Sequence, residues 1–204
     1  MFDLNELQHD ALVEIFNIGV GRAAAAMSSI VSEDVKMSVP SISFLNRAGA
    51  ARVLGNDETR RICGISQVYE GAFHTEAILM FPEDKSLEIV RLMVGESVPL
   101  KELTEMEQEA MSEIGNIILN CCVGTLANIF GQELHGSLPI YHVGTTDDIL
   151  GSSGNSPDDA VLMLHIDFIV EKHQIHGYVA FILDITALHD LKAQVDAYLA
   201  KITG

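Results

Sequence analysis

The amino-acid sequence repeats itself at a spacing of 99 residues, and this internal repeat limits the possible folds more than any other feature. Residues 4–40 align with residues 103–139 without a gap, and the pairs Glu14/Glu113 and Asn17/Asn116 are among those that are identical. Beyond the prolines that end this alignment, similarity returns at a spacing of 102, where residues 74–81 resemble residues 176–183. Two copies are too few for a solenoid. We therefore predict one domain over residues 1–204, with pseudo-symmetric repeats at about 1–98 and 99–204.

Each repeat predicts the same order of elements. Apolar residues recur at helical spacing first, then alternate as in strands, and Pro40 and Pro139 mark a strand edge or bend. Hairpin-like pairs of strands and a final helix follow in each repeat. The predicted helices are 4–30, 85–94, 103–130 and 186–200, and the predicted strands are 35–44, 61–68, 72–81, 134–143, 160–170 and 175–183. About six strands joined by hairpins favour an α+β domain with one antiparallel sheet over a βαβ fold.

Local signals refine the ends of these elements. Asn5 with Gln8, and Thr104 with Glu107, have the spacing of a capping box before each long helix. Segments 47–58 and 142–159 are expected to be loops, the second because it is rich in Gly, Ser and Asp.

The charge balance excludes several classes of partner. The chain has 29 acidic residues against 12 Lys and Arg, a formal net charge of −17. Binding of a nucleic-acid backbone or of anionic lipid needs clustered basic residues, so neither is expected. Uninterrupted apolar runs stay below the roughly 18 residues of a membrane span, and the first residues lack the basic region of a signal peptide. Three cysteines are too few for a disulfide framework, and a cytoplasmic protein with unpaired thiols is expected.

The two long helices place acidic and amide residues on one narrow line. At about 100° per residue, four residues of each helix fall within one stripe, opposite an apolar face. The first acidic stripe is Asp10, Glu14, Asn17 and Gly21, and the second acidic stripe is Glu109, Glu113, Asn116 and Asn120. The opposite faces, predicted to be buried, are Leu12, Ile15, Phe16, Gly19 and Ala23 in one helix and Met111, Ile114, Gly115, Ile118 and Cys122 in the other.

An ordinary solvated helix face is the alternative interpretation of each stripe. Two features argue against it. The Glu and the Asn recur at identical spacing in both repeats, and Lys or Arg partners are lacking beside them. Like charges four residues apart also cost a few tenths of a kcal/mol. A carboxylate beside an amide can instead dock a lysine and hold a water molecule in line with an electrophile, which is how phosphoryl transfer to water is catalysed.

The spacing of these residues resembles a family signature. Asp10-x3-Glu14-x2-Asn17-x22-Pro40 and Glu109-x3-Glu113-x2-Asn116-x22-Pro139 are similar to the paired motifs of the CheC/CheX/FliY phosphatases of chemotaxis. The sequence around Glu14 and Glu113 also resembles the family's EIGNIGAGxAA helix. Two motifs in about 200 residues resemble the CheC type, since CheX has one motif and FliY would add a C-terminal flagellar-switch domain for which we expect no room.

The resemblance implies a fold, an activity and partners. The fold would be a continuous six-stranded antiparallel sheet flanked by helices with pseudo-two-fold symmetry. The activity would be hydrolysis of the phospho-aspartate of a CheY-type response regulator, with Asn17 and Asn116 orienting the water and Glu14 and Glu113 pairing with a regulator lysine. It implies no cofactor of the chain's own, because Mg²⁺ would be supplied by the regulator, and it implies the receptor deamidase CheD as a further partner. A non-catalytic adaptor that binds a regulator or CheD is the alternative.

The chain departs from the family pattern at several positions. The first motif position is usually Asp or Ser, and Glu109 is one methylene longer than Asp. Phe16 replaces a Gly that is kept at Gly115. The helix–sheet contact is therefore expected to be wider at Phe16. Asn120 and the cysteines after it replace a run of small residues, so the second helix is expected to sit differently.

Two other motifs predict no site. Gly19-x-Gly21-x-x-Ala24 resembles a dinucleotide fingerprint but lies inside a predicted helix instead of after a strand. His173 and His176 lie an odd number of residues apart on a predicted strand, so they face opposite sides and are not expected to share a metal.

Overall fold

The computed structural model describes residues 4–31, 34–54, 61–71, 74–94, 99–151, 159–170 and 173–203. These residues form one antiparallel sheet with helices on both faces. The helices are α1 (Glu6–Val31), α2 (Arg47–Leu54), α3 (Glu83–Val94), α4 (Leu100–Phe130), α5 (Thr146–Gly151) and α6 (Ile185–Thr203). The strands are β1 (Val35–Asn46), β2 (Ile62–Gly71), β3 (Thr75–Pro82), β4 (Leu134–Gly136), β5 (Ile140–Gly144), β6 (Ala160–Val170) and β7 (His173–Leu183).

The strands of the sheet follow the order β1-β6-β7-β3-β2, and β4 and β5 share the far edge beside β2. Strand β5 pairs with residues 62–66 of β2, and β4 pairs with residues 69–71. Every pairing is antiparallel. Seven strands therefore occupy six positions, and the predicted α+β class with one six-stranded antiparallel sheet is confirmed.

The strand order reads the same from either edge when the counterparts of the two repeats are exchanged. Strand β1 corresponds to β4 and β5, β2 to β6, and β3 to β7, so β7 and β3 meet at the centre. Each repeat thus gives its first strand to the hairpin of the other repeat. This arrangement agrees with the predicted pseudo-symmetry, while the division into two repeats stays a prediction.

Helices α1 and α4 pack against each other and on one face of the sheet. A Cβ at Gly19 would lie 3.0 Å from the Cα of Cys122, so the two helix backbones nearly touch there. At Gly115 a Cβ would lie 2.4 Å from Ile65 Cγ2, so α4 rests directly on β2. At the corresponding place in α1, the fully buried ring of Phe16 fills the space against Phe181, with ring centroids 5.4 Å apart.

A second, smaller apolar cluster covers part of the opposite face of the sheet. Short helices α2 and α5 contribute Ala50, Leu54, Ile149 and Leu150 to it, and they pack on side chains of β3, β6 and β7. The two apolar clusters lie on opposite faces because side chains alternate along each strand.

The structure corrects the prediction of two loops. Helix α2 begins where Asn46 Oδ1 accepts a hydrogen bond from the backbone N–H of Gly49 at 2.7 Å. Helix α5 begins with a reciprocal cap, in which Thr145 N–H donates to Asp148 at 2.9 Å and Asp148 N–H donates to the Thr145 hydroxyl at 3.2 Å. The polar residues taken as loop formers are therefore helix caps. Residues 55–58 and 152–158 of the two predicted loops lie outside the described residues.

Two further predictions about element ends differ from the structure. The predicted strand 134–143 is broken into β4 and β5 around Pro139, whereas β1 continues through Pro40 with a register shift between Ser38 and Ser41. The capping box at Asn5 is confirmed by two reciprocal hydrogen bonds of 2.9 Å with Gln8. The one predicted at Thr104 is wrong, because α4 begins four residues earlier, after Pro99.

Both long helices reach the length and apolar composition of a membrane span, over Glu6–Ile30 and Thr104–Phe130. Their buried faces lie in the main core of the sheet, which accounts for much of their apolar character. The three cysteines are unpaired, and burial raises the pKa of Cys63 and that of Cys122 to about 12.

Candidate functional site

The first acidic stripe lies on the exposed side of α1. The side chain of Asp10 is 71% exposed, and Glu14 is exposed one turn later. The predicted opposite face is buried at every position, as expected from the helical period. Gly21 ends the stripe in open space, since a Cβ there would meet no atom within 4 Å.

Asn17 connects this stripe to strand β1. Its side-chain Oδ1 accepts a hydrogen bond from the backbone N–H of Val39 at 2.9 Å, and its Nδ2 donates to the carbonyl of Val39 at 3.2 Å. The Nδ2 group also donates to the carbonyl of Val13 at 2.9 Å. Val39 precedes Pro40 at the register shift of β1. Asn17 therefore supplies the hydrogen bonds that the sheet cannot supply at the bulge.

The second acidic stripe borders an open groove of about 640 Å³. Glu109 and Glu113 are exposed, and Pro139 forms the other side of the groove where the chain passes from β4 to β5. The remaining lining residues are Glu105, Gln108, Ala110 and Ser112. Three carboxylates thus face one concave surface beside the second motif.

Two of these three carboxylates have no basic neighbour in the described part of the chain, whereas Glu105 lies 4.0 Å from Lys101 Nζ. Neither Glu109 nor Glu113 forms an ion pair with a described Lys or Arg, and the same is true of Glu14 in the first stripe. An uncompensated acidic surface attracts cations and favours association with a positively charged partner.

Asn116 is held differently from Asn17. Its Oδ1 accepts hydrogen bonds from Asn120 Nδ2 at 2.7 Å and from Gln67 Nε2 at 3.3 Å. Gln67 Nε2 also donates to the carbonyl of Ser137 at 2.8 Å, which links the helix to the segment before Pro139. Because both donors point to Oδ1, the carboxamide orientation is fixed, and its Nδ2 makes no hydrogen bond to another described residue.

Tyr69 on β2 adds a hydroxyl to the hydrogen-bond network of Asn116, Asn120 and Gln67. Its hydroxyl lies 3.1 Å from both Asn120 Oδ1 and Gln67 Oε1. Burial raises the pKa of Tyr69 above its ordinary value, so the phenol stays protonated and remains a donor. Tyr69 and Gln67 therefore orient Asn120 and Asn116.

The structure brings Glu113, Asn116, Asn120 and Pro139 together on one side of the molecule, and their roles in a site stay predictions. Sequence reasoning missed Gln67 and Tyr69. Both are buried polar residues on strand β2, at positions that face the main core. The signal was available, because two polar residues at alternate positions of an otherwise apolar strand need partners inside.

Comparison with known proteins gives a consistent result, although no family model matches the chain. The CheY-P phosphatase CheC of Bacillus subtilis is 26% identical over 139 residues, which cover 67% of this chain and 66% of that protein. The flagellar motor switch phosphatase FliY of the same organism is 23% identical over 163 residues, covering 79% of this chain and 42% of that protein. The match thus spans just under two thirds of the first relative and less than half of the second.

Solved structures share the fold. The crystal structure of Thermotoga maritima FliY superposes with a TM-score of 0.77 at 19% identity, covering 97% of this chain and all of that one. A chain of the CheX–CheY–BeF3–Mg²⁺ complex of Borrelia burgdorferi superposes with a TM-score of 0.53 at 15% identity, covering 84% of this chain and 97% of that one. The chain is therefore similar in sequence to CheC and FliY and shares the fold of FliY, in agreement with the resemblance to the CheC/CheX/FliY family.

Proposed function

We propose that this chain is a phosphatase that hydrolyses the phospho-aspartate of a CheY-type response regulator and so ends a chemotaxis signal in the cytoplasm. A curated relative named as a CheY-P phosphatase supports the reaction class. The observation on which the proposal chiefly rests is Asn116, whose carboxamide is fixed by two donors while its Nδ2 is left for a ligand beside the exposed Glu113.

The reaction needs little covalent help from the protein. Water attacks phosphorus, the bond between phosphorus and the aspartate oxygen breaks, and inorganic phosphate and a free carboxylate leave. The water loses its proton to solvent or to the phosphate. Because the transition state is loose, positioning of the water supplies most of the acceleration. A neutral amide suits this task, since it holds a water or a phosphoryl oxygen without taking a proton.

In this proposal the second acidic stripe inserts Asn116 into the active site of the regulator. Its Nδ2 holds the attacking water or a phosphoryl oxygen, and Glu113 pairs with a lysine of the regulator. Glu109 and Pro139 border the docking groove, and Asn120 keeps Asn116 in place. The Mg²⁺ that neutralises the phosphoryl oxygens belongs to the regulator.

The first acidic stripe would make the same contacts through Glu14, Asn17 and Asp10. The carboxamide of Asn17 already forms hydrogen bonds with backbone groups of Val13 and Val39. Asn17 must release at least one of these hydrogen bonds before it can hold a water. We therefore assign the greater part of the activity to the second stripe.

The decay of a phosphorylated CheY-type regulator from the same source, measured with and without this chain, tests the proposal. We expect faster decay with the wild-type chain. The double substitution Asn17→Ala/Asn116→Ala should reduce the acceleration by about 10²-fold or more, the scale expected for a lost positioning group. The control is Asn128→Ala, an exposed position of α4 outside both stripes. Unchanged decay with the wild-type chain would overturn the proposal, and full activity in the double variant would overturn the assignment of residues.

Binding of the regulator loaded with beryllofluoride and Mg²⁺ separates the phosphatase from an adaptor. The acidic groove predicts association that weakens with salt and with the substitution Glu113→Gln, because opposite charges steer the encounter. The control substitution is Glu133→Gln, an exposed carboxylate in the turn after α4. A chain that binds the loaded regulator or CheD but leaves phosphate decay unchanged would be an adaptor and not an enzyme.

A further inference from the structure

Three potential metal ligands converge on the sheet face opposite α1 and α4. His165 and Asp167 lie two residues apart on β6 and so point to the same side. His176 on β7 is directly opposite Asp167 in the antiparallel register. Cross-strand pairs have neighbouring side chains, so the fold itself places one carboxylate between two imidazoles.

The distances agree with this placement. Asp167 Oδ1 lies 2.6 Å from His176 Nδ1 and 3.8 Å from His165 Nε2. One ligand atom of each of the three residues lies within 4.8 Å of those of the others. Within the described residues, the ion pairs of Asp167 are with these two histidines alone, so no lysine or arginine competes for its carboxylate.

We propose that His165, Asp167 and His176 bind a divalent transition-metal ion of the zinc class. Two imidazole nitrogens and one carboxylate oxygen are a donor set typical of zinc, and the same set on one face also suits iron(II). Ligand atoms around a tetrahedral zinc lie about 3.3 Å apart, given Zn–N distances of about 2.0–2.1 Å. Small rotations of Asp167 and His176, whose side chains are 21% and 55% exposed, reach this spacing.

The surroundings favour an ordered site with an open coordination position. The ring of His165 stacks on Tyr178 with centroids 5.2 Å apart, which limits its rotation. His176 and Tyr178 also line a groove of about 240 Å³ that continues towards Val53 and Met80. The ammonium of Lys85 in the same groove is held by Glu88 at 2.7 Å, which partly offsets its charge near the metal.

This site is separate from the proposed phosphatase surface. The acidic stripes lie on α1 and α4 over the main apolar cluster, whereas the three ligands face the side of the sheet where α2 and α5 pack. The proposal therefore does not depend on the phosphatase activity. It also differs from the expectation that the chain has no metal of its own.

Titration of Zn²⁺ against the full chain, after treatment with a chelator and in competition with a chromophoric zinc chelator, tests the proposal. We expect one equivalent of zinc to bind. The substitutions His165→Ala, Asp167→Asn and His176→Ala should each weaken binding by about tenfold or more, since even ligand-orienting residues are worth that much. The control is His173→Ala, because His173 lies three residues before His176 on β7 but pairs with Glu88 at 2.9 Å.

Binding that survives in the double variant His165→Ala/His176→Ala would overturn the proposal and assign the zinc to other groups, such as the thiols. Absence of binding to the wild-type chain would overturn it as well. Imidazole NMR signals provide a second measurement that needs no variant. Zinc should shift the signals of His165 and His176 and leave those of His173 unchanged, and the opposite pattern would contradict the site.

Discussion

The carboxamide of Asn17 pairs with both backbone groups of Val39, accepting from its N–H at 2.9 Å and donating to its carbonyl at 3.2 Å. It thereby replaces a strand partner at the place where β1 loses register with β6. The equivalent Asn116 makes no such pair. Its Oδ1 is fixed by side chains of Asn120 and Gln67 instead. The two asparagines, at equivalent positions of the predicted repeats, are therefore held by different partners.

The single substitutions Asn17→Ala and Asn116→Ala should separate stability from activity. Loss of the Asn17 side chain leaves backbone groups of the buried Val39 without partners, which should lower the free energy of unfolding by about 1–3 kcal/mol. Loss of the Asn116 side chain should lower the rate of phospho-regulator decay by up to about 10²-fold. Urea unfolding and single-turnover decay measure the two effects, and a larger rate loss for Asn17→Ala would contradict the division.

Tyr69→Phe should lower activity without removing any residue of the stripes. The substitution keeps the buried ring but removes the hydroxyl that lies 3.1 Å from Asn120, so Asn116 loses part of its support. The maximal rate should fall, while the regulator concentration for half-maximal rate stays constant, because the docking surface is untouched. The matched control is Tyr141→Phe, whose hydroxyl lies 3.3 Å from Glu107 and away from both asparagines. Equal losses in both variants would indicate a general packing effect.

The sequence predicted the long helices and their buried faces because both depend on a local period. Every residue expected on the inner face of α1 or α4 is buried, from Leu12 to Cys122. The break between β4 and β5 was not predictable in this way. It depends on Pro139 lying at an edge where β2 is the partner strand, a contact between residues about 70 positions apart.

Contacts across the sheet account for the rest of what sequence reasoning missed. The link from Gln67 to Asn116 needs the position of β2 under α4, and the cluster of Asp167 with His176 needs the register of β6 against β7. A hydrophobic pattern states which face a strand residue occupies but not which residue lies opposite. The prediction that His173 and His176 do not share a metal used only alternation along one strand, and it stays a prediction.

Gly115→Ala should destabilise the fold, whereas Gly124→Ala in the same helix should not. A Cβ at Gly115 would lie 2.4 Å from Ile65 Cγ2, so α4 or β2 must move, at a cost of about 1–3 kcal/mol. A Cβ at Gly124 meets no atom within 4 Å, and alanine there should raise the free energy of unfolding by roughly 0.5–1 kcal/mol. Denaturant unfolding of the two variants measures both signs. Destabilisation by Gly124→Ala equal to that by Gly115→Ala would show that the contact of residue 115 with Ile65 is not the cause of the loss, because a Cβ at Gly124 has no such contact.

The buried thiols predict a loss of stability at alkaline pH. Burial raises the pKa of Cys122 from 9.0 to about 12, and that of Cys63 by the same amount. Above about pH 9 the thiols of the unfolded chain ionise while those of the folded chain stay protonated, so the unfolded state gains stability as the pH rises. Each thiol should then lower the free energy of unfolding by up to about 1.4 kcal/mol per pH unit.

Urea unfolding between about pH 7 and pH 10 measures this effect. The free energy of unfolding should show no contribution from the thiols below about pH 8 and should fall progressively above pH 9. Cys122→Ala is expected to be less stable at neutral pH because of the cavity, yet its alkaline slope should be shallower than that of the wild-type chain. The thiol of Cys122 is completely buried where α4 packs against α1, which makes its ionisation in the folded chain unfavourable. An unchanged alkaline slope in Cys122→Ala would contradict this, because it would mean that Cys122 ionises as easily in the folded chain as in the unfolded one.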